Sequence, residues 1–306
     1  MCASSTPTVE TLHRISRRLP YGHPIKCDIY CRSHQLTVRT TKCKEKPSQH
    51  ITPKPDLKTG TRCPIRSNDE WPKAKHQHGK TPVEAPDHDA IQNPDPTRLQ
   101  VTWIGHATVL VQYGGLNILT DPVFADRASP FKRVGPKRYS QPGLTIDQLP
   151  KLDLVLLSHN HYDHFDLDSL AKLGNTPRYV LPLKNGILLE KAGVTSDRYD
   201  EMDWDDQLSH SGVTVIHVPS NHWSSRTTKD RKEMLWGGYI LEFADGYRFY
   251  FVGDTGWNEA LFTELGAQYG GIDFGLIPIG AYDPRDFMRN GVGHSLGHVC
   301  LNRRTG

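Results

Sequence analysis

The sequence LDLVLLSHNHYDH, residues 152–164, decides both the fold and the chemistry open to this chain. Its first six residues form a short run that is apolar except for Asp153, which is typical of a strand buried on both faces. Alternation along the extended segment that follows would place its first candidate ligands on one side, and a turn would aim the last at a neighbouring point. Imidazoles and a carboxylate at a rigid strand end suit Zn²⁺, and a polar surface loop that happens to hold histidines is the weaker interpretation. The candidate ligands are His159, His161, Asp163 and His164.

Two further apolar runs also end in a potential ligand. Val213 to Val218 precedes His222, and Phe249 to Val252 precedes Asp254. Taken alone, such residues are usually a surface histidine and a turn. Three strand ends that deliver ligands to one edge are not expected from turn chemistry, so we expect His222 and Asp254 to join the first cluster.

The body of the chain, from Arg98 onward, alternates strand and turn signals. Strand-rich halves that are each closed by helices predict two sheets packed face to face with helices outside. Further predicted strands are Gln100 to Ile104, Thr108 to Tyr113, Leu116 to Thr120, Leu235 to Phe243, Tyr247 to Val252 and Phe274 to Ile279, with a helix over Asn258 to Gln268.

Residues 1–97 show no sustained period of 2 or 3.6, and they carry 16 of the 37 Lys and Arg but only 10 of the 34 Asp and Glu. We predict a basic, largely disordered extension that contributes little to the core. Such an arm can touch nucleic acid, but its interleaved charges and sparse aromatic residues disfavour that partner. Thr8 to Leu19 would also suit an organellar transit peptide, although a disordered start is the preferred interpretation.

All six cysteines fall outside residues 64–299, so we expect no thiol in the catalytic chemistry. Cys27 and Cys31 could contribute to a small zinc knuckle, but no paired CxxC occurs and reduced cysteines are preferred. No apolar run approaches the ~18 residues of a transmembrane helix, and the start lacks an apolar signal segment. The sequence therefore predicts an intracellular protein, either cytoplasmic or peripheral to a membrane.

The motifs of the body resemble those of the metallo-β-lactamase superfamily, whose HxHxDH motif matches residues 159–164. Gly105-His106-Ala107-Thr108, Thr120-Asp121-Pro122 and Pro278-Ile279-Gly280-Ala281-Tyr282 narrow the resemblance to the branch of N-acylphosphatidylethanolamine-hydrolysing phospholipase D. The resemblance runs from about Leu99 to Met288. It implies an α+β fold, the αββα metallo-β-lactamase sandwich, in a catalytic domain at 98–290 followed by a divergent tail at 291–306.

This resemblance implies a zinc-dependent phosphodiesterase that hydrolyses N-acylphosphatidylethanolamine to N-acylethanolamine and phosphatidic acid through a metal-bridging hydroxide. The substrate would be reached by peripheral contact with membrane phospholipid, and homodimerisation is left open. Two zinc ions are implied, the first held by His159, His161 and His222, the second by Asp163 and His164, with Asp254 bridging them and Asp163 and Asp254 as catalytic candidates.

Five more residues are candidates for roles around the metals. Asp121 could receive the second N–H of a ligand histidine, and a turn-forming Asp-Pro is an equal alternative. His106 could support the ligands, although a structural histidine is preferred. Arg226 could attract an anionic head group, as could Lys137 and Arg138, although solvated surface charge is preferred for each.

The family pattern breaks after Arg289. The family continues there through a helix and a strand to a histidine that is the last ligand of the second zinc. His294 and His298 follow the preceding strand too closely for an intervening helix, so neither is assigned to that role. We therefore expect a C-terminally truncated chain with an incomplete second half and a weakened second zinc site. The alternative functions are another ester or lactone hydrolase of this fold, or a catalytically impaired product.

Overall fold

The computed structural model describes residues 28–32, 35–39, 85–131, 133–227 and 229–278. The chain divides into two compact units, Met1–Pro72 and Lys73–Gly306. In the first unit, β1 (Asp28–Arg32) and β2 (Gln35–Arg39) form an antiparallel pair, which the sequence did not predict. The rest of the extension up to residue 84 and the tail at 291–306 lie outside the described residues. Among those that are described, no helix has the length and apolar character needed to cross a bilayer.

The first sheet of the second unit has six strands, which lie side by side in chain order. They are β3 (Gln100–Gly105), β4 (Thr108–Tyr113), β5 (Leu116–Thr120), β6 (Leu154–Leu156), β7 (Arg178–Pro182) and β8 (Tyr199–Met202). The strands β3, β4 and β5 pair antiparallel, whereas β5 through β8 pair parallel. As a result β3, β5 and β6 run in the same direction and end at one edge of the sheet.

The second sheet has five strands. They are β9 (Gln207–His210), β10 (Val213–Val218), β11 (Gly238–Phe243), β12 (Arg248–Phe251) and β13 (Phe274–Leu276). Neighbouring strands are antiparallel except for the parallel pair β12 and β13. The strands β10 and β12 therefore also end at a common edge.

The main core lies between the two sheets, because alternate side chains of each strand point inward. Val111 and Leu156 of the first sheet belong to this core together with Val215 and Leu241 of the second. Every residue of β4 is buried. The side chains that point away from the main core, such as Leu110, belong to a second core on the outer face of the first sheet, together with Ile104 and Leu119.

Helices cover both outer faces. On the first sheet lie α2 (Leu167–Leu173) and α3 (Gly186–Lys191), and on the second lies α4 (Glu259–Tyr269), which begins after its cap Asn258. Single 3₁₀ turns occur at Ile146–Gln148 and Ser196–Arg198. The layers run helix, sheet, sheet, helix, so the predicted α+β sandwich is confirmed.

Residues 85–97 pack onto the first sheet. The short helix α1 (His88–Gln92) buries Ile91, which is 3% exposed, and the amide of Gln112 donates to the Ile91 carbonyl at 2.8 Å. The domain boundary at residue 98 stays a prediction, and these contacts show that α1 packs with the first sheet.

Candidate metal centre

Three histidines from two strand ends converge on one point. His159 and His161 follow β6, and His222 follows β10. Nε2 of His159 lies 2.8 Å from Nδ1 of His161 and 3.2 Å from Nε2 of His222. Nε2 of His222 lies 3.3 Å from Nδ1 of His161. All three side chains are at most 9% exposed. The edge of Trp223 packs on the His161 ring, with centroids 4.6 Å apart.

A second cluster lies beside the first. Nε2 of His164 is 3.8 Å from a carboxylate oxygen of Asp163 and 3.2 Å from Nε2 of His106. The His106 nitrogen is in turn 3.1 Å from the same Asp163 oxygen. This direct contact of His106 with both candidate ligands was not expected from the sequence.

Asp254, which follows β12, lies between the two clusters. Its Oδ2 is 3.3 Å from Nε2 of His164 and 3.8 Å from Nε2 of His222, and the residue is 3% exposed. The structure thus brings together all six residues that were selected as ligands from the sequence. Their assignment as ligands stays a prediction.

The Asp121 carboxylate contacts His164 of the second cluster directly and His159 of the first cluster through Ser158. One oxygen accepts from the backbone N–H of Ser158 at 2.7 Å. The other lies 2.6 Å from the Ser158 hydroxyl and 2.7 Å from Nδ1 of His164. The Ser158 hydroxyl is also 2.9 Å from Nδ1 of His159. A carboxylate that holds Nδ1–H of His164 leaves Nε2 of that ring as its electron-pair donor.

Ser158 has a role that was not predicted from the sequence. Its hydroxyl joins Asp121 to His159, although the two residues that it joins are 38 positions apart in the chain. Its place directly before His159 at the end of a buried strand was the available signal.

The pKa values of His159 in the first cluster and His164 in the second shift in opposite directions. Burial lowers the pKa of His159 well below its ordinary value, which keeps this imidazole in the neutral, metal-binding form. Burial opposes charge on His164 too, but Asp254 and Asp163 outweigh it and raise the pKa of His164 well above the ordinary value. Burial likewise opposes ionisation of Asp163, but His164 and the hydrogen bond with His106 outweigh it and lower the Asp163 pKa. The carboxylates around His164 therefore favour a cation.

The separations in the first cluster fit a metal ion. The circle through the three nitrogens has a radius of about 1.8 Å, slightly below the Zn–N bond length of about 2.0–2.1 Å. His159, His161 and His222 would hold such an ion. Neutral imidazoles on one side and carboxylates on the other are the donor types that zinc takes in catalytic sites.

Arg226 braces the loop that carries the candidate ligands. Its Nη1 donates to the carbonyls of Asn160 at 3.0 Å and Phe165 at 2.7 Å, and its guanidinium stacks 4.0 Å from the Tyr162 ring centroid. Burial lowers the pKa of this guanidinium. Contact of Arg226 with a head group remains a prediction.

The two other basic candidates, Arg138 and Lys137, differ in their contacts and exposure. Arg138 donates to the carbonyls of Val123 and Ala125, at 2.5 and 3.3 Å, so its guanidinium ties down a backbone segment. Lys137 is exposed.

Comparison with known proteins identifies the family. Residues 116–302 match the family described as the beta-lactamase superfamily domain. The chain belongs to this superfamily. The superfamily prediction made from residues 159–164 is confirmed, and the ligand clusters described above lie within the matched span or, for His106, just before it.

Relatives in the superfamily narrow the relationship. An N-acyl-phosphatidylethanolamine-hydrolyzing phospholipase D of Caenorhabditis elegans is 38% identical over 202 residues, which are 63% of this chain and 56% of that protein. The mitochondrial N-acyl-phosphatidylethanolamine-hydrolyzing phospholipase D of Saccharomyces cerevisiae is 35% identical over 193 residues, 60% of this chain and 40% of that protein. A metal-dependent hydrolase of Rubrobacter xylanophilus is 30% identical over 200 residues, 59% of this chain and 70% of that protein.

This chain spans about half the length of the two phospholipase D relatives. The relatives confirm the predicted branch of the superfamily and place the chain among metal-dependent hydrolases. They do not specify which metal it takes.

Proposed function

We propose that this chain is a zinc-dependent phosphodiesterase that hydrolyses N-acylphosphatidylethanolamine to N-acylethanolamine and phosphatidic acid. The names of two relatives supply the substrate class. The observation that carries the proposal is a cavity that opens beside the ligand loop and combines apolar and cationic walls.

The cavity has a volume of about 740 Å³ and reaches Tyr162, which stands between the candidate ligands His161 and Asp163. This volume is in the range of pockets that enclose small organic ligands. Its apolar side chains suit acyl carbons, and its cations suit a phosphate, although four aspartates also contribute to the lining, namely Asp126, Asp166, Asp168 and Asp230. The lining includes the apolar residues Phe124, Phe165, Leu188 and Met234 and the cations Arg127, Lys172, Lys191 and Arg226.

The chain's own groups can hold two metals in the arrangement that hydrolysis needs. His159, His161 and His222 would hold one ion, Asp163 and His164 the other, and Asp254 would reach both. When bound, such a pair supplies a water of lowered pKa and neutralises charge on phosphoryl oxygens. Asp121 fixes the tautomer of His164, and Arg226 holds the loop carbonyls in place. His159, His161 and His222 are buried, which strengthens charge interactions on their side of the site.

A surface loop at the cavity supports access from a membrane. Phe131, which lines the cavity, is 64% exposed, and Val134 is 64% exposed as well. Arg133 and Lys137 are exposed on the same loop. Apolar side chains beside cations are the composition that binds an anionic bilayer surface. We expect Phe131→Ser to reduce co-sedimentation with phosphatidic-acid vesicles relative to the parent.

The test is hydrolysis of N-acylphosphatidylethanolamine in mixed micelles by the zinc-loaded chain, with released N-acylethanolamine measured by mass spectrometry. We expect turnover that His159→Ala abolishes. Lys172→Glu should raise KM because a carboxylate then faces the phosphate, whereas Lys151→Glu, at an exposed position outside the cavity lining, should not. Hydrolysis of a soluble lactone or carboxylic ester without release of N-acylethanolamine would overturn the lipid proposal in favour of another esterase activity.

A further inference from the structure

His106 sits on a turn whose backbone is held in an uncommon conformation. The register between β3 and β4 shifts between Trp103 and Gly105, and His106 itself has a φ of 52°. A residue other than glycine rarely adopts this left-handed conformation, and such residues cluster at functional sites. The indole N–H of Trp103 donates to the His106 carbonyl at 2.9 Å, which fixes the turn.

The turn directs the His106 imidazole at Asp163 and His164. Its Nε2 is 3.1 Å from the Asp163 oxygen and 3.2 Å from Nε2 of His164, and those two atoms are 3.8 Å apart. The circle through the three atoms has a radius of about 2.0 Å, which equals typical zinc bond lengths to nitrogen and carboxylate oxygen. One ion could therefore contact all three.

The neighbouring residues make this cluster a distinct place for a cation. Oδ2 of Asp254 is 3.3 Å from Nε2 of His164, so Asp254 offers a fourth donor atom to an ion in this cluster. The side chains of His106 and Asp163 are 17% and 39% exposed, whereas that of His164 is fully buried. The cluster therefore opens to solvent at Asp163 and, to a lesser extent, at His106, which leaves a route for an ion or a substrate.

We propose that His106 is a direct ligand of the second metal, together with Asp163 and His164. The inference rests on the proposed two-metal chemistry, and it gives the second site an imidazole from the first sheet. It also changes the expected strength of that site, since three protein donors plus Asp254 hold an ion more tightly than two donors plus Asp254.

The test is the zinc content of the full chain after stripping with a chelator and equilibration in a zinc-buffered solution, measured by elemental mass spectrometry. We expect two ions in the parent and one in His106→Ala, with the second affinity lowered at least tenfold, since even the loss of an outer partner of a ligand costs about 10–100-fold. Asp163→Ala should also retain one ion. His210→Ala should retain two, because His210 belongs to none of the ligand clusters among the described residues.

Retention of the first ion in the His106 variant serves as its check on folding, and His106→Gln provides a second variant with a similar side-chain volume. Two ions in both His106 variants, with one in Asp163→Ala, would overturn the proposal. A drop to one ion in His294→Ala or His298→Ala, with two kept in His106→Ala, would assign the ligand to the tail instead. Metal counting needs no substrate, so loss of the phosphodiesterase proposal would leave this result standing.

Discussion

Replacing Asp121 by alanine removes the carboxylate that connects the two metal clusters through hydrogen bonds. Its oxygens meet the backbone N–H of Ser158, the Ser158 hydroxyl and Nδ1 of His164, all at 2.6–2.7 Å and all in fully buried residues. With Nε2 of His159 facing the metal position, Nδ1–H of that ring donates to the Ser158 hydroxyl at 2.9 Å and offers the hydroxyl no acceptor. The backbone N–H of Ser158 and Nδ1–H of His164 would both be left without an acceptor. A stranded buried donor costs about 1–3 kcal/mol, so the pair would cost about 2–6 kcal/mol.

The loss should appear in two measurements. Urea unfolding of the metal-stripped protein should show the lowered free energy of unfolding. Competition with a chromogenic chelator should show a zinc affinity lowered about 10–100-fold, because His164 loses the group that fixes its tautomer. Asp121→Asn keeps one acceptor oxygen but points an N–H₂ at a donor, so it should fall between alanine and the parent.

Asp147→Ala is the matched control, since Asp147 is an exposed aspartate on a 3₁₀ turn. It should change the free energy of unfolding by less than about 0.5 kcal/mol. If Asp121→Ala unfolded like this control and bound zinc like the parent, Asp121 would be only a turn-forming residue.

Other perturbations should separate catalysis, packing and titration. Asp254→Asn should weaken both metals and lower kcat/KM by at least about 100-fold in the lipid assay, whereas Cys300→Ser should leave turnover unchanged; equal activities would contradict the two-metal reasoning. Deletion of residues 1–84 should leave zinc binding and thermal stability unchanged, but deletion of 1–97 also removes Ile91 and should cost about 1.5–3 kcal/mol, which parallel thermal melts would check. Burial lowers the pKa of His217 to about 4, so the unfolded chain, with an ordinary value of about 6.5, takes up the proton first. The stability that neutral His217 contributes is therefore complete above pH 6.5 and lost as the pH falls towards 4. Between pH 7 and 4.5 the parent should lose about 2 kcal/mol more than His217→Phe in urea unfolding, and parallel losses would exclude His217 as the source.

Much of the sandwich was predictable because its strands carry strong local signals. The bounds predicted for β4, β5 and β10 match those observed, since alternating or continuous apolar runs end there at clear turns. The strand predicted from Leu235 begins only at Gly238. Leu235 and Gly237 donate instead to the carbonyls of Leu183 and Ser158, which lie far away in the sequence. Such tertiary hydrogen bonds override a local pattern.

The candidate ligands were also predictable, because strands of one direction end at one edge and each ligand directly follows such a strand. The position of His106 was not. It depends on a bulge and a left-handed turn, and the Gly105-His106 pair carries only a weak signal for them. The role of Ser158 depends on Asp121, whose partner cannot be read from a single sequence.

The most direct test of a two-metal centre built by these residues is a crystal structure of the zinc-loaded chain with anomalous data at the zinc edge. We predict two peaks about 3.5–4 Å apart, one among His159, His161 and His222 and the other beside Asp163 and His164. Asp254 should contact both. A single peak at full zinc loading, or two peaks with Asp254 bound to neither, would contradict the two-metal centre.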